Sequence, residues 1–262
     1  MRRAVRGHGD RSQLPHRAPA LHVHQRRAQG RHQGVPRLDP ERRRAVHHPR
    51  EGLRPRQIGH LLVSHYEQRL ANDKAAIRNR IVTLGRQCAG AVERATTATL
   101  EGDRPKAYRV VLDDLPINRE SRSIDKACHA FVARHLPSAA HLRFVSSVMR
   151  MNIELERVGD YAVSIARHAV QLDEPPHGHI AEEMKALGRR AKEMLDDALS
   201  AFESGDAELA RETKPVAKAM QHGFDAVFEQ LTTDESISRR RGAHLFAIFN
   251  KLERVADQAK NI

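Results

Sequence analysis

Acidic side chains with a regular spacing are the residues of this chain that could do chemistry. Glu156 and Asp160 are four positions apart in a segment whose apolar residues recur at helical spacing. Because four residues make about one helical turn, the two carboxylates lie on one face of a helix, and Ser164 extends that face. Hard or borderline cations such as Fe, Mn, Mg or Ca prefer oxygen ligands of this kind. The spacing therefore predicts a candidate metal-ligating face.

The same pattern returns 97 positions later in the chain. Residues 252–262 (LERVADQAKNI) align with residues 155–165 (LERVGDYAVSI), and the second acidic pair is Glu253 and Asp257. The alignment keeps Leu, Glu-Arg-Val, Asp, Ala and Ile in register. A match of this kind indicates a duplicated unit.

Further ligands must come from neighbouring helices, since each face supplies only two carboxylates. The helix predicted before the first copy offers Asp114 and Asn118, again four apart. The helix before the second copy offers Asp225 and little else acidic, and Lys214 and Lys218 occupy its middle. We therefore expect the first unit to hold a cation better than the second.

A plainer interpretation of both acidic pairs stays open. An acid at i and another at i+4 on a helix usually form a solvated face. The adjacent Arg157 and Arg254 could pair with them for about 0.3–0.5 kcal/mol per pair. Spacing alone does not choose between a metal site and such a face.

Apolar periodicity predicts six helices separated by helix breakers. They cover about 60–100, 105–135, 139–172, 180–203, 206–231 and the residues from about 234 onward. Asp103 and Ser138 are predicted N-terminal caps. Pro116 lies inside the second helix, where a proline costs about 3 kcal/mol and produces a kink. Residues 173–179 (DEPPHGH) are a predicted linker.

This order of elements predicts an all-α fold class. Short connections make sequential helices antiparallel, so the chain should form two similar three-helix bundles, over residues 61–173 and 179–262. The chain has no Trp but is rich in Ala, Leu, Val and Ile, a composition that suits helices packed on helices.

Residues 1–60 differ in composition from the rest of the chain. They hold 15 Arg, eight His and six Pro with no Lys and four acids, a net charge of +11, whereas the remainder has 30 basic and 29 acidic residues, a net charge of +1. Without apolar periodicity, such a segment is expected to be disordered. It could be a basic arm for nucleic acid or anionic lipid, or a histidine-rich metal binder. The interpretation we favour over both is a start-site artefact, because this composition is typical of GC-rich DNA translated from too early a start or in another frame.

Sequence signatures of an enzyme are missing. The single Glu-x-x-His, Glu174 to His177, lies in a linker with two prolines, unlike the helical pairs of di-iron bundles. There is no GxxxxGK[ST] phosphate loop and no recognisable Ser or Cys nucleophile. The two cysteines form no CxxC, no apolar run approaches about 20 residues, and no secretory signal follows Met1. These features predict a non-enzymatic, reduced, cytoplasmic protein.

The two signature segments, residues 155–166 and 252–262, resemble the paired signature of the PhoU family of bacterial phosphate-signalling regulators. The resemblance covers roughly residues 61–262 and implies two three-helix bundles and negative control of phosphate-starvation signalling. Implied partners are the ATPase subunit of the phosphate transporter, a membrane sensor histidine kinase and a second copy in a homodimer. The protein would associate with the membrane only through these partners. No specific nucleic-acid partner is expected. The alternative, a nucleic-acid-binding helical protein, rests wholly on the basic tail.

The resemblance also implies a metal cofactor. PhoU-like proteins bind multinuclear clusters, typically of iron, through E/DxxxD motifs on the bundle surface. The ligands expected here, for iron or another divalent or trivalent metal, are Glu156, Asp160, Asp114, Asn118, Glu253 and Asp257. Both signature pairs match the motif, whereas the pair on the preceding helix matches in spacing but ends in Asn.

Three positions depart from the family pattern. His141 stands where members usually carry an acid, and it could still ligate a metal. Ser164 replaces a usual Asn, which Asn261 retains in the second copy. The chain stops at Ile262, where the family pattern continues, so we expect the last helix to be short and the second bundle to be packed less completely.

Overall fold

The computed structural model describes residues 55–262, with side chains described over 65–212, 224–225 and 227–262. Residues 1–54, and with them most of the predicted basic tail, lie outside the described residues. Residues 55–60, which the composition assigned to the tail, belong to the first helix.

Seven α-helices, and no strand, make up the described part of the chain. They are α1 (Pro55–Glu101), α2 (Arg104–Leu112), α3 (Asp114–His135), α4 (Ala139–Val170), α5 (Gly178–Ser204), α6 (Ala207–Thr233) and α7 (Arg239–Asn261). The predicted all-α fold class is confirmed. None of these helices combines the length and the apolar character that crossing a bilayer requires.

The second predicted helix is two helices, so the prediction of one kinked helix was wrong. The break falls at Asp113, three residues before Pro116. Proline lacks the N–H that would bond the carbonyl four residues earlier, and its ring collides with that carbonyl. The carbonyl in question belongs to Leu112, the last residue of α2.

Matching turns join the first two helices of each copy. Gly102 and Gly205 adopt left-handed φ angles of 65° and 75°, which glycine tolerates without strain. Asp103 and Asp206 follow as N-caps. The Asp103 carboxylate accepts one hydrogen bond from the backbone N–H of Lys106 at 2.8 Å, and the Asp206 carboxylate accepts two from the first turn of its helix. Ser138 also occupies an N-cap position, as predicted, but its side chain makes no capping hydrogen bond.

The first bundle contains α1, α2 with α3, and α4, and the second contains α5, α6 and α7. The bundles pack together through α1 against α5 and α4 against α7, and one apolar core runs through both. The approach of α1 to α5 is close at two glycines. A Cβ atom placed on Gly85 would lie 2.3 Å from Leu199 Cδ2, and one on Gly188 would lie 2.7 Å from Thr96 Cγ2.

Both cysteines are buried free thiols within this core. Burial, with a smaller contribution from the charge of Asp114, raises the pKa of Cys88 to about 12. Burial also raises the pKa of Cys128, to about 11. At neutral pH both are protonated, apolar packing groups rather than nucleophiles.

Candidate functional site

The first bundle brings together two of the predicted ligands from different helices. Asp114 begins α3 and is half-buried, whereas Asp160 lies exposed in the second half of α4. Burial and then the charge of Asp160 raise the pKa of the Asp114 carboxyl, so the two carboxylates are electrostatic neighbours. Both line a cleft of about 800 Å³ between α2, the start of α3, α4 and α7, which Ser164 also lines.

The Asp114 carboxylate has unused capacity to bind a ligand. Asn118 Nδ2 donates a hydrogen bond to Asp114 Oδ2 at 2.6 Å. Asp114 Oδ1 is buried and has no hydrogen-bond partner among the described residues. Since a buried acceptor without a partner costs about 1–3 kcal/mol, a cation beside this oxygen would relieve that penalty. The oxygen-rich donor set of Asp114 and Asp160 thus fits a hard or borderline cation.

Glu156 lies on the same face of α4 as Asp160, one turn earlier, and is exposed. The neighbouring Arg157 pairs with Glu154, with Nη1 3.1 Å from Oε2. Arg157 therefore makes its ion pair with a residue outside the predicted ligand set. The solvated-face interpretation had instead expected it to pair with Glu156 or Asp160.

The second bundle holds the equivalent pair on α7. Burial and then Asp257 raise the pKa of Glu253, and Asp225 on α6 adds to the effect. Asp225, the acid identified on the fifth predicted helix, is therefore close enough to Glu253 to act on it electrostatically. Asp257 is partly committed already, because its Oδ1 lies 3.2 Å from Lys260 Nζ.

Neither face is a complete metal centre as it stands. Among the described side chains, no group of three or more His, Cys, Asp and Glu residues is placed to hold one ion. A bound cation would need a carboxylate to reorient or water to complete its ligands. His141 cannot join the first face from α4 itself, since it precedes Asp160 by 19 residues, roughly 28 Å along the helix.

The structure adds two histidines that no spacing in the sequence connects. His168 on α4 and His244 on α7 are 76 positions apart, yet their Nδ1 atoms lie 3.0 Å from each other. Both line the same cleft as Asp114 and Asp160. A contact between two bundles leaves no periodic signal in either segment, so only the packing of α4 on α7 shows it.

The fold and these faces define a class of protein: a two-repeat helical protein with an acidic pair on the last helix of each repeat. A family model described as "PhoU domain" matches residues 81–169 and 184–262, one match in each bundle. The chain belongs to the PhoU family.

Relatives with similar sequences carry a common description. The "Phosphate-specific transport system accessory protein PhoU homolog" of Pseudomonas putida is 32% identical over 207 residues, covering 77% of this chain and 80% of the relative. The "Phosphate-specific transport system accessory protein PhoU" of Escherichia coli (strain K12) is 31% identical, covering 71% of this chain and 79% of the relative.

Solved structures agree with the fold. The crystal structure of PhoU from Pseudomonas aeruginosa matches with a TM-score of 0.69 and 29% identity over 73% of this chain and 93% of its own. A phosphate transport system regulatory protein PhoU from Streptococcus pneumoniae matches with a TM-score of 0.68 and 26% identity, over 73% of this chain and 92% of its own.

Proposed function

We propose that this protein is a non-enzymatic, cytoplasmic accessory regulator of phosphate transport that represses phosphate-starvation signalling when phosphate is plentiful. The observation that carries the proposal is the presence of both bundles, each with its signature helix, in a chain that matches relatives named as accessory proteins of phosphate transport. Two folded repeats with polar, exposed helix faces can bind partners without performing chemistry themselves.

The proposed partners are the ATPase subunit of the phosphate transporter and a membrane sensor histidine kinase, contacted by a homodimer. A regulator of this kind acts by binding one state of its partner better than another, which shifts the partner's population. The exposed acids Glu156 and Asp160 place negative charge on the surface of the first bundle and could set the orientation of such a contact.

A gene deletion in the native host tests the regulatory role. In phosphate-replete medium, a phosphate-starvation reporter should be activated in the deletion strain and silenced again by the full chain in trans. The variant Leu155→Asp, which places a charge at a fully buried position of α4, should fail to silence it. A reporter that stays silent in the deletion strain would remove negative regulation from the proposal.

Direct binding tests the partners. The immobilised full chain should retain the purified ATPase subunit and the kinase. In solution, the full chain should elute from a sizing column with the mass of a dimer by light scattering. Retention of nucleic acid instead, weakening steeply as salt rises, would favour the nucleic-acid alternative that rests on residues 1–60.

We also propose that the face formed by Glu156, Asp160, Asp114 and Asn118 binds iron or a similar cation, with Glu253 and Asp257 as a weaker second site. The partnerless oxygen of Asp114 and its proximity to Asp160 support the first site. When bound, such an ion would supply a fixed positive charge at the bundle surface. Lys260 beside Asp257 already neutralises part of the second face, which supports the ranking.

Elemental analysis of matched variants tests this assignment. Glu156→Ala with Asp160→Ala should lower the metal content while helicity stays unchanged. The control is Glu193→Ala with Asp197→Ala, an exposed Glu–Asp pair with the same spacing on α5. Equal metal content in the wild type and both double variants would refute the first site.

A further inference from the structure

The contact between His168 and His244 joins the two bundles at the cleft. Their Nδ1 atoms lie 3.0 Å apart, the ring centroids are 5.3 Å apart, and the ring planes are inclined by 51°. Both side chains are half-buried, and each sits on a helix that packs against the other bundle. The packing of α4 on α7 therefore places two imidazole nitrogens 3.0 Å apart at the junction of the two bundles.

A pair of this kind has an unusual proton balance. In the neutral pair one Nδ1 donates its proton and the other presents a lone pair, so the two nitrogens share one proton. Burial, then the charges of His244 and Lys251, lower the pKa of His168 and favour its neutral form. Both rings can thus present Nδ1 lone pairs at neutral pH once the donor ring switches to the tautomer that carries its proton on Nε2.

We propose that His168 and His244 bind a divalent transition-metal ion, of the Ni²⁺, Cu²⁺ or Zn²⁺ class, that links α4 to α7. An ion about 2.0–2.1 Å from both nitrogens would make an N–metal–N angle of roughly 90–100°, which suits two adjacent positions of an octahedral or square-planar ion. Water in the adjoining cleft would fill the remaining positions. Imidazole ligands separate this site from the oxygen-only face on the first bundle.

The charges that act on His168 are positive, and the cleft beside the pair also carries two carboxylates. Arg167 lines the cleft, and Lys251 acts electrostatically on His168. The Lys251 ammonium lies 5.3 Å from the centre of the Tyr161 ring and makes a cation–π interaction with it. Asp114 and Asp160 line the same cleft, and their negative charge opposes that of the two cations.

Thermal unfolding of the full chain with Ni²⁺ tests the site. An ion that binds the folded state stabilises it, and saturation at about 100 times Kd should raise Tm by roughly 5 °C in a protein of this size. The rise should be lost in His168→Gln and in His244→Gln. It should persist in His129→Gln, a control at an exposed histidine whose Nε2 lies 3.5 Å from Asp125. Nickel bound by the eight histidines of residues 1–60 is common to all these proteins and cancels in the comparison.

Two further measurements keep the outcome decisive. Circular dichroism without nickel should show equal helicity in all variants. Electron paramagnetic resonance with Cu²⁺ should show, in the difference between the wild-type spectrum and that of either glutamine variant, a copper species coupled to two nitrogens, since copper on residues 1–60 is common to both spectra. Asp160→Asn should reduce the nickel-induced rise without abolishing it, because this carboxylate opposes the positive charges in the cleft but is not a ligand of the histidine pair. A rise that survives in both histidine variants, or that disappears only in Asp160→Asn, would overturn the proposal.

Discussion

At the scale of single residues, the electrostatic interaction between Asp114 and Asp160 should destabilise the protein without metal and contribute to stability once a metal is bound. Without metal, the two carboxylates repel, so Asp160→Asn should raise the free energy of unfolding at pH 7 by a few tenths of a kcal/mol to about 1 kcal/mol. With bound metal, Asp160→Asn removes a ligand and should lower the free energy of unfolding. Urea unfolding with chelator and with added iron measures both.

The pH dependence of this effect follows from the raised pKa of Asp114. The folded protein binds more protons than the unfolded chain just above pH 3.8, the ordinary value for Asp, so the penalty fades as pH falls through the raised folded pKa. The gain from Asp160→Asn should therefore shrink on acidification. A gain that grows toward low pH would contradict the assigned repulsion.

Asp73 shows the opposite behaviour. His135 Nε2 donates a hydrogen bond to Asp73 Oδ2 at 2.8 Å, and this bond, helped by one from Arg134, lowers the pKa of Asp73. Stability from this group is present above pH 3.8, its ordinary value, and is lost as pH falls through the lower folded pKa. Asp73→Asn should cost about 1 kcal/mol at pH 5, and the difference from wild type should narrow below pH 3.

Urea unfolding at several pH values measures the Asp73 effect. Asp125→Asn is the matched control, because Asp125 is also paired with a histidine, but an exposed one. Its Oδ2 lies 3.5 Å from His129 Nε2, and both residues lie in α3. This variant should have little effect at any pH. Equal losses for the two variants would show that burial of His135 contributes nothing to the pair.

The sequence could identify some of these residues and not others, for a physical reason. The acidic pairs were found because i and i+4 positions share a helix face, a property of one helix alone. The partnership of Asp114 with Asp160 could be expected once neighbouring helices were assigned. The pairs Asp73–His135 and His168–His244 depend on which faces of separate helices meet, and periodicity does not specify that.

At the scale of helices, the cap residues divide into those that bond and those that only occupy the position. Asp206 accepts hydrogen bonds from the N–H groups of Glu208 and Leu209, at 2.9 and 3.2 Å. Asp206→Ala should therefore lower the free energy of unfolding by about 1 kcal/mol. Ser138→Ala should have a smaller effect, because Ser138 makes no capping bond.

Chemical denaturation of the two cap variants checks this difference. Asp103→Ala should resemble Asp206→Ala, since Asp103 caps the equivalent helix of the first bundle with a 2.8 Å bond. Identical losses at Ser138 and Asp206 would mean that position rather than hydrogen bonding sets the stability of these helix ends.

Helix ends were largely predictable because glycine, proline and aspartate act locally. The turns at Gly102 and Gly205 and the caps that follow them needed only neighbouring residues. The break before Pro116 was misplaced because proline acts on the carbonyl four residues earlier, so the last residue of α2 is Leu112. A kink placed at the proline itself ignores the collision between its ring and the carbonyl of the residue four positions earlier.

At the scale of the whole molecule, the two bundles could be predicted but their packing could not. Duplication of the signature and six periodic segments are enough to define two similar units. The α1–α5 contact instead depends on Gly85 and Gly188, which locally are only poor helix formers. Their role becomes visible when the opposite helix is in place.

Gly188→Ala tests that contact between the bundles. Alanine favours a helix by up to about 1 kcal/mol over glycine, but its Cβ would lie 2.7 Å from Thr96 Cγ2, on a buried β-branched side chain that cannot swing away. Overpacking of about 1–3 kcal/mol should outweigh the gain in helix propensity, so Gly188→Ala should lower the free energy of unfolding.

Two companion variants separate overpacking from other causes. Gly90→Ala, also in a helix interior, meets only the flexible end of Arg94 at 3.2 Å and should stabilise the protein by about 0.5–1 kcal/mol. Thr96→Ser removes the methyl group but keeps the hydroxyl that bonds Val92 O at 2.9 Å, so it should restore much of the stability of Gly188→Ala. Additive losses in the double variant, measured by urea unfolding, would show that α1 and α5 do not meet at these two residues.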